Sequence, residues 1–204
     1  MERKGSVNAR AYRSFVFDFD RTLVTMPVDW VSVRKEVERI SGERLDRTFM
    51  FPQIKQMLAH RPELREPLFS TIDSFELKAA GATRPVEGAV DLLARLSRSS
   101  RLALVTMQGR AVYEVIAREQ GLAGFFGATI TRENSLDRGE QILMAVRAIN
   151  SSPEITLFIG DMDNDVVGAR KARVEVVIMG NRPLATQTPD YKFSSFAELK
   201  AFLV

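Results

Sequence analysis

Short runs of apolar, β-branched and aromatic residues recur along the chain and alternate with segments of helical periodicity. Runs of four to seven such residues, bounded by turn formers, are typical of strands buried on both faces. They are SFVF from residue 14, RLALVTM from 101, GATIT from 127, ITLFIG from 155 and VEVVIMG from 174. Helical patterns lie at about 87–98, 110–120, 138–149, 164–172 and from 196 to the end. Because strands and helices alternate, we predict an α/β fold with a doubly wound parallel sheet.

The segment 25–83 breaks this rhythm, because it has no strand pattern and its apolar residues follow helical spacing. Asp29 is placed to cap a helix, and two apolar faces follow it. One face holds Trp30, Val33, Val37 and Ile40, and the other holds Leu64, Leu68, Ile72 and Phe75. We therefore predict a core domain formed by residues 1–24 and 84–204, and a small helical cap formed by residues 25–83.

Composition restricts the class of protein. With 204 residues, 45% of them hydrophobic and 27% charged, the chain suits an ordinary globular domain with an insertion. The net charge is +3, but the arginines are scattered, so we expect no nucleic-acid partner. No apolar stretch approaches the roughly 18 residues of a membrane span, and the first dozen residues read as a short tail without a secretory signal. The sequence has no cysteine, which excludes disulfides and thiolate sites. We expect a cytoplasmic monomer or homodimer.

Polar residues follow three of the predicted strands where each strand ends. Asp18 and Asp20 follow SFVF, Thr106 follows LALV, and Asp161 and Asp165 lie in FIGDMDND. Each alone could be a turn residue or a helix cap. Ligands of open parallel sheets bind at the carboxyl ends of the strands, so these residues together predict one site.

In these motifs the sequence resembles the haloacid dehalogenase superfamily of phosphohydrolases. DFDRTL at 18–23 matches the first motif, Thr106 in LVTMQGR matches the second, and GDMDND at 160–165 matches the fourth. TRPVEGAVDLLARL resembles the stretch that leads from the helical cap into the second motif. The resemblance spans nearly the whole chain and implies a Rossmann-like core with a helical cap inserted after the first motif.

The resemblance also implies roles for individual residues. Asp18 would attack phosphorus to form an aspartyl-phosphate, and Asp20 would act as general acid and then general base. Thr106 and the backbone N–H of Met107 would hold phosphoryl oxygens. Gln108 is a further candidate for substrate contact.

So many carboxylates facing a phosphate require a cation, and Mg²⁺ is the hard octahedral ion that carboxylates and phosphates bind. We assign Asp18 and Asp161 as side-chain ligands and Asp20 as a ligand through its backbone carbonyl. Asp165 is expected as an outer or water-mediated partner.

Three positions depart from the family pattern. One is Arg173, which stands where a glycine often follows the helix after the fourth motif. Arg21 stands where glycine is most frequent after the second acid, which hints at substrate charge. The lysine expected ahead of the fourth motif is missing, because no lysine lies between Thr106 and Asp161. Arg138 in SLDRGEQIL is our candidate for its replacement, with Arg132 as the alternative. We expect Arg138→Ala to slow phosphate release by orders of magnitude and Arg132→Ala to be mild.

The implied function is a magnesium-dependent phosphatase acting on a small phosphorylated metabolite, such as a sugar phosphate or a phosphoglycolate-like compound. A receiver-like signalling domain is an alternative, although no lysine lies between Lys78 and Lys171 and the insert is foreign to that fold. A catalytically silent binding protein is another, although every required carboxylate is present. Other reactions of the superfamily, phosphomutase or dehalogenase, stay open, but a dehalogenase has no need of Asp20.

Overall fold

The computed structural model describes residues 12–185 and 187–203, so residues 1–11 of the predicted core domain lie outside it. The strands are β1 (Ser14–Phe17), β2 (Val24–Thr25), β3 (Arg84–Pro85), β4 (Arg101–Val105), β5 (Ala128–Ile130), β6 (Thr156–Gly160), β7 (Glu175–Met179) and β8 (Tyr191–Phe193). Six of them form one parallel sheet in the order β5-β4-β1-β6-β7-β8. The predicted parallel sheet is therefore confirmed, with β1 at its centre.

The helices are α1 (Trp30–Ser41), α2 (Met50–His60), α3 (Arg65–Ala80), α4 (Ala89–Leu96), α5 (Arg110–Glu119), α6 (Arg138–Ala148), α7 (Asp163–Ala172) and α8 (Phe196–Leu203). Five of them cover the two faces of the sheet. Helices α4, α5 and α8 pack on the side that buries Phe15 and Phe17. Helices α6 and α7 pack on the side that buries Val16. Successive side chains of β1 therefore pack into two separate hydrophobic cores, one on each face of the sheet, as expected for a sheet buried on both faces.

The insert is helical, as predicted, and consists of α1, α2 and α3. Asp29 caps α1 by accepting a hydrogen bond from the Ser32 N–H at 3.0 Å. The insert has its own hydrophobic cluster, which Met107 and Leu136 of the core also join. Packing therefore joins the insert to the core, and the domain boundaries given above stay a prediction.

Two features of the fold were not predicted. Strands β2 and β3 form a short antiparallel ribbon where the chain enters and leaves the insert. Strand β8 adds a sixth strand, although its sequence, YKF, is too short and too polar to give a strand pattern. Among the described residues, no helix combines the length and apolar character needed to cross a membrane.

Candidate active site

The acidic residues at the strand ends meet at one edge of the sheet because β1, β4 and β6 are neighbours. Asp18 follows β1, and its backbone N–H donates to the carbonyl of Ile159 in β6 at 2.8 Å. Asp161 follows β6, and Asp165 lies one turn further on in α7. A carboxylate oxygen from each of the three acids lies within 4.8 Å of the others, and all three side chains are buried. The predicted convergence of acids is present.

Arg138 lies in the middle of this cluster. Its Nη2 is 2.7 Å from Asp18 Oδ1, and its Nε is 3.1 Å from Asp165 Oδ1. Gln141, one turn further along α6, accepts from Nη1 at 3.2 Å and fixes the guanidinium from its other side. Gly168 makes room for the stem, because a Cβ there would lie 2.5 Å from Arg138 Cγ. Arg138 thus lies beside Asp18, the proposed nucleophile, at the position expected of a replacement for the missing lysine.

Asp165 holds the loop that carries Asp161. Its Oδ2 accepts hydrogen bonds from the backbone N–H groups of Asp161 and Met162, both at 3.0 Å. Its other oxygen faces Arg138. One carboxylate therefore holds the acidic loop by hydrogen bonds and lies in ion-pair contact with the arginine, which fits the expected outer role better than direct ligation.

The electrostatics of the cluster indicate a site for a cation. Burial raises the pKa of Asp18 well above its ordinary value, and Arg138 opposes that rise only in part. Burial, with the neighbouring Asp165 charge, raises the pKa of Asp161 to about 7. Buried, crowded carboxylate oxygens with one arginine among them form a donor set that suits a hard divalent ion. The residues present therefore fit Mg²⁺.

The remaining predicted residues lie at different depths. Asp20 lines the cavity above the cluster; its Oδ1 accepts from the Met26 N–H at 3.0 Å, and burial raises its pKa. Met107 and Gln108 also line the cavity. Thr106 is fully buried, and its hydroxyl is hydrogen-bonded to the Gln108 side chain and, at 3.1 Å, to the Gln108 N–H. The Thr106 hydroxyl thus lies beneath the cavity wall.

Arg132 does not approach Asp18. It is fully buried and forms a two-pronged ion pair with Glu76 of α3, at 3.1 and 2.9 Å, and a further pair with Asp73. It also donates to the Met107 carbonyl at 2.7 Å. The arginine therefore ties the insert to the loop after β4. The expectation that Arg132→Ala is mild for phosphate release stays a prediction, but the substitution should lower stability, because it would leave Glu76 buried without its partner.

Sequence reasoning missed Glu76 and Asp73. Glu76 lies one turn after Ile72 on the buried face of α3, so a charge among apolar positions was the available signal. Burial raises the pKa of Glu76 to about 7 despite the nearby Arg132. Its partner lies 56 residues away in sequence, beyond the reach of any local pattern.

A cavity of about 310 Å³ lies over the cluster, between the core and the insert. The acids and Arg138 form its floor, and three aromatic residues of the insert, Trp30, Phe49 and Phe51, form part of its wall. Trp30 packs edge-on against Phe51, with ring centroids 6.2 Å apart. Trp30 is therefore both part of the insert's core and a wall of the cavity.

Comparison with known proteins gives a family match and two similar enzymes. The profile of the family described as haloacid dehalogenase-like hydrolase matches residues 15–179. A phosphoglycolate phosphatase from Agrobacterium fabrum is 27% identical over 207 residues, covering 90% of this chain and 89% of that protein. The pyrophosphatase PpaX from Anoxybacillus flavithermus is 29% identical over 111 residues. That match covers 50% of this chain and 52% of the pyrophosphatase, so the chain matches about half the length of that relative.

Solved structures share the fold at low sequence identity. A haloacid dehalogenase-like family protein from Streptococcus pneumoniae has a TM-score of 0.70 at 19% identity, covering 95% of this chain and 99% of that one. YfnB from Bacillus subtilis, described as a HAD-hydrolase and bound to magnesium, has a TM-score of 0.64 at 21% identity. The two chains are covered to 94% and 98% respectively.

Proposed function

This chain belongs to the haloacid dehalogenase-like hydrolase family, and on that premise we propose that it is a magnesium-dependent phosphatase of a small phosphomonoester. The observation that carries the proposal is the Asp18–Arg138 pair at 2.7 Å, set beside Asp161 and Asp165 on the floor of a cavity. The phosphoglycolate phosphatase among the relatives supports a small phosphorylated substrate. The family match includes the helical insert, which a receiver domain lacks, and it counts against that alternative.

Asp18 and Asp161 would hold the ion through their side chains, Asp20 through its backbone carbonyl, and Asp165 from outside. A bound Mg²⁺ supplies positive charge that offsets the repulsion between these carboxylates and a phosphate dianion. Arg138 supports the same task from the protein, because its fixed positive charge lies against Asp18 and favours the ionised, nucleophilic carboxylate.

The chemistry then proceeds in two displacements. A carboxylate oxygen of Asp18 forms a bond to phosphorus while the ester P–O bond breaks, and Asp20 donates a proton to the departing oxygen. Asp20 next takes a proton from a water molecule, whose oxygen attacks phosphorus and breaks the bond to Asp18. Inorganic phosphate leaves, and Asp18 is restored. The backbone N–H of Met107 is a candidate donor to the phosphoryl oxygens, while the Thr106 hydroxyl would first have to leave Gln108.

Hydrolysis of p-nitrophenyl phosphate tests the proposal. We expect turnover that requires Mg²⁺, stops in excess chelator and is abolished by Asp18→Asn. Asp91→Asn, at an exposed position of α4, is the matched control and should retain full activity. Circular dichroism establishes that each variant is folded. Turnover that survives in folded Asp18→Asn, or in excess chelator, contradicts the mechanism. The cytoplasmic location and the oligomeric state stay predictions, to be checked by cell fractionation and by light scattering.

A further inference from the structure

We infer that the substrate carries a second anionic group, a carboxylate or a second phosphoryl group, which Arg21 and Arg47 bind at the rim of the cavity. The inference rests on the proposed function, because it names the class of phosphomonoester that the same site accepts. Both arginines line the cavity, one from the core and the other from the insert.

Hydrogen bonds hold the loop between α1 and α2 on both sides of Arg47. Arg34 binds the backbone carbonyls on either side of it, those of Asp46 and Thr48, the latter at 2.8 Å. Gln53 adds a reciprocal pair with Asp46, in which the Asp46 N–H donates to Gln53 Oε1 and Gln53 Nε2 donates to Asp46 Oδ1, both at 2.9 Å. Both neighbours of Arg47 are therefore held.

The guanidinium of Arg47 itself has no hydrogen-bonding or ion-pair partner among residues 12–185 and 187–203 and is exposed. A loop held on both sides of an unpaired arginine is preorganised to present that charge to a ligand, because the loop backbone needs little further ordering on binding. A guanidinium also offers a planar fork of donors that matches carboxylate and phosphate oxygens.

Arg21 supports the inference from the opposite element. Its φ angle is +63°, in the left-handed region where glycine meets no penalty and a side chain does. An arginine retained in such a conformation beside a cavity points to a use for its side chain. Arg21 lines the same cavity from the core, so its charge can reach a bound substrate.

The position of these arginines favours a second group over the reacting phosphoryl group. The floor already has Arg138, and its acids suit a divalent ion, so positive charge for the reacting phosphoryl group is available there. Arg47 belongs to the insert and lines the cavity from that side. Phe49 and Phe51 line the same cavity, so a substrate bound there contacts apolar as well as charged side chains of the insert.

Matched pairs of substrates test the inference in the presence of Mg²⁺. One arm compares 2-phosphoglycolate with ethyl phosphate, which has the same two-carbon chain without the carboxylate. The other compares fructose 1,6-bisphosphate with fructose 6-phosphate. We expect kcat/KM to favour the substrate with the second anion in one of the two arms, and that arm identifies the group as carboxylate or phosphoryl.

Variants then assign the preference to residues. Arg47→Gln and Arg21→Gly should each reduce the preference about tenfold, the effect of losing one charged hydrogen bond. The Gly variant also removes the unfavourable φ of Arg21, so it should fold at least as well as the parent. Arg44→Gln, an exposed arginine of the same loop that does not line the cavity, is the control and should leave the preference unchanged.

Two results overturn the inference: the absence of a preference in both arms, or losses in Arg47→Gln and Arg21→Gly that are equal for both members of each pair. The second result would mean that the arginines only attract the reacting phosphoryl group. Calorimetry of the same four compounds on Asp18→Asn with Mg²⁺ measures the preference as binding. If p-nitrophenyl phosphate is not hydrolysed but this preference appears in binding, the proposed function fails and the second anion site stands.

Discussion

Replacement of Arg138 is the most direct perturbation of the catalytic floor. Arg138→Ala removes the only arginine that contacts Asp18 among the described ion pairs, at 2.7 Å, and the contact to Asp165 at 3.1 Å. Loss of one preorganised donor at a centre of developing charge costs about 10²–10³-fold in kcat. Arg138→Lys keeps a positive charge but cannot bridge two carboxylates as a fork, so we expect it to retain part of the rate.

The pH dependence gives a second measure of the same substitution. Burial raises the pKa of Asp18, and Arg138 lowers it in part. Without Arg138 the pKa of Asp18 rises further, so a smaller fraction of the nucleophile is ionised near neutral pH. The acid limb of the kcat/KM profile should therefore move to higher pH in Arg138→Ala and less far in Arg138→Lys.

The assay measures kcat/KM for p-nitrophenyl phosphate from pH 5 to 9 at saturating Mg²⁺. Arg147→Ala, an exposed arginine in the last turn of the same helix, is the control for general effects on α6. Urea denaturation measures the free energy of unfolding of each variant. This measurement is needed because a buried charge left without its partner costs about 3–5 kcal/mol. A folded Arg138→Ala with kcat/KM within threefold of the parent, and an unmoved acid limb, would refute the assigned role.

Three further predictions concern stability. Arg132→Met should lower the free energy of unfolding by about 3–5 kcal/mol at pH 8 in urea denaturation. Arg95→Ala, at an exposed position of α4, is the control and should change it by about 0.5 kcal/mol or less; equal effects would contradict the buried pair. The pKa of Glu76 is raised to about 7, so the folded state binds more protons than the unfolded state between about pH 4.5 and 7. The stability that Glu76 contributes therefore falls as pH rises through that window. In Glu76→Gln the free energy of unfolding should fall less steeply between pH 5 and 7.5, and an unchanged slope would contradict the raised pKa of Glu76. A hundredfold excess of Mg²⁺ over its Kd should raise Tm by roughly 5–10 °C. An equal rise in Asp161→Asn would mean that Asp161 does not bind the ion.

The sequence predicted those parts of the site that depend on strand ends. Asp18 and Asp161 follow runs that are typical of buried strands, and parallel strands bring their carboxyl ends to one edge, so their proximity followed from the pattern. The sequence distinguishes Arg138 from Arg132 only by the place of Arg138 at the start of a helix, because both lie in the same loop-to-helix segment. The structure separates them by their partners: Arg138 faces Asp18, and Arg132 faces Glu76.

Contacts between the insert and the core could not be predicted in the same way. The ion pair of Arg132 joins residues 56 positions apart, and the two-residue strands β2 and β3 are too short to produce a pattern. The contacts of the loop before α2 could not be predicted either, because Arg34 donates to backbone carbonyls, which carry no sequence signal. Sequence periodicity identifies which elements exist, whereas these contacts depend on how two elements meet.

These contacts decide how selectivity by the insert can be examined. Excising residues 25–83 and joining the ends with a short linker would test the predicted cap, but it would also remove Glu76 from Arg132 and expose Met107, which packs in the insert's cluster. Met107 is a candidate phosphate-binding position, and Arg132 fixes its carbonyl. Loss of activity on every substrate would then follow from damage to the floor and would say nothing about selection. Single substitutions at the rim, such as Arg47→Gln, change the wall while leaving that interface intact, and they are the sharper test of what the insert selects.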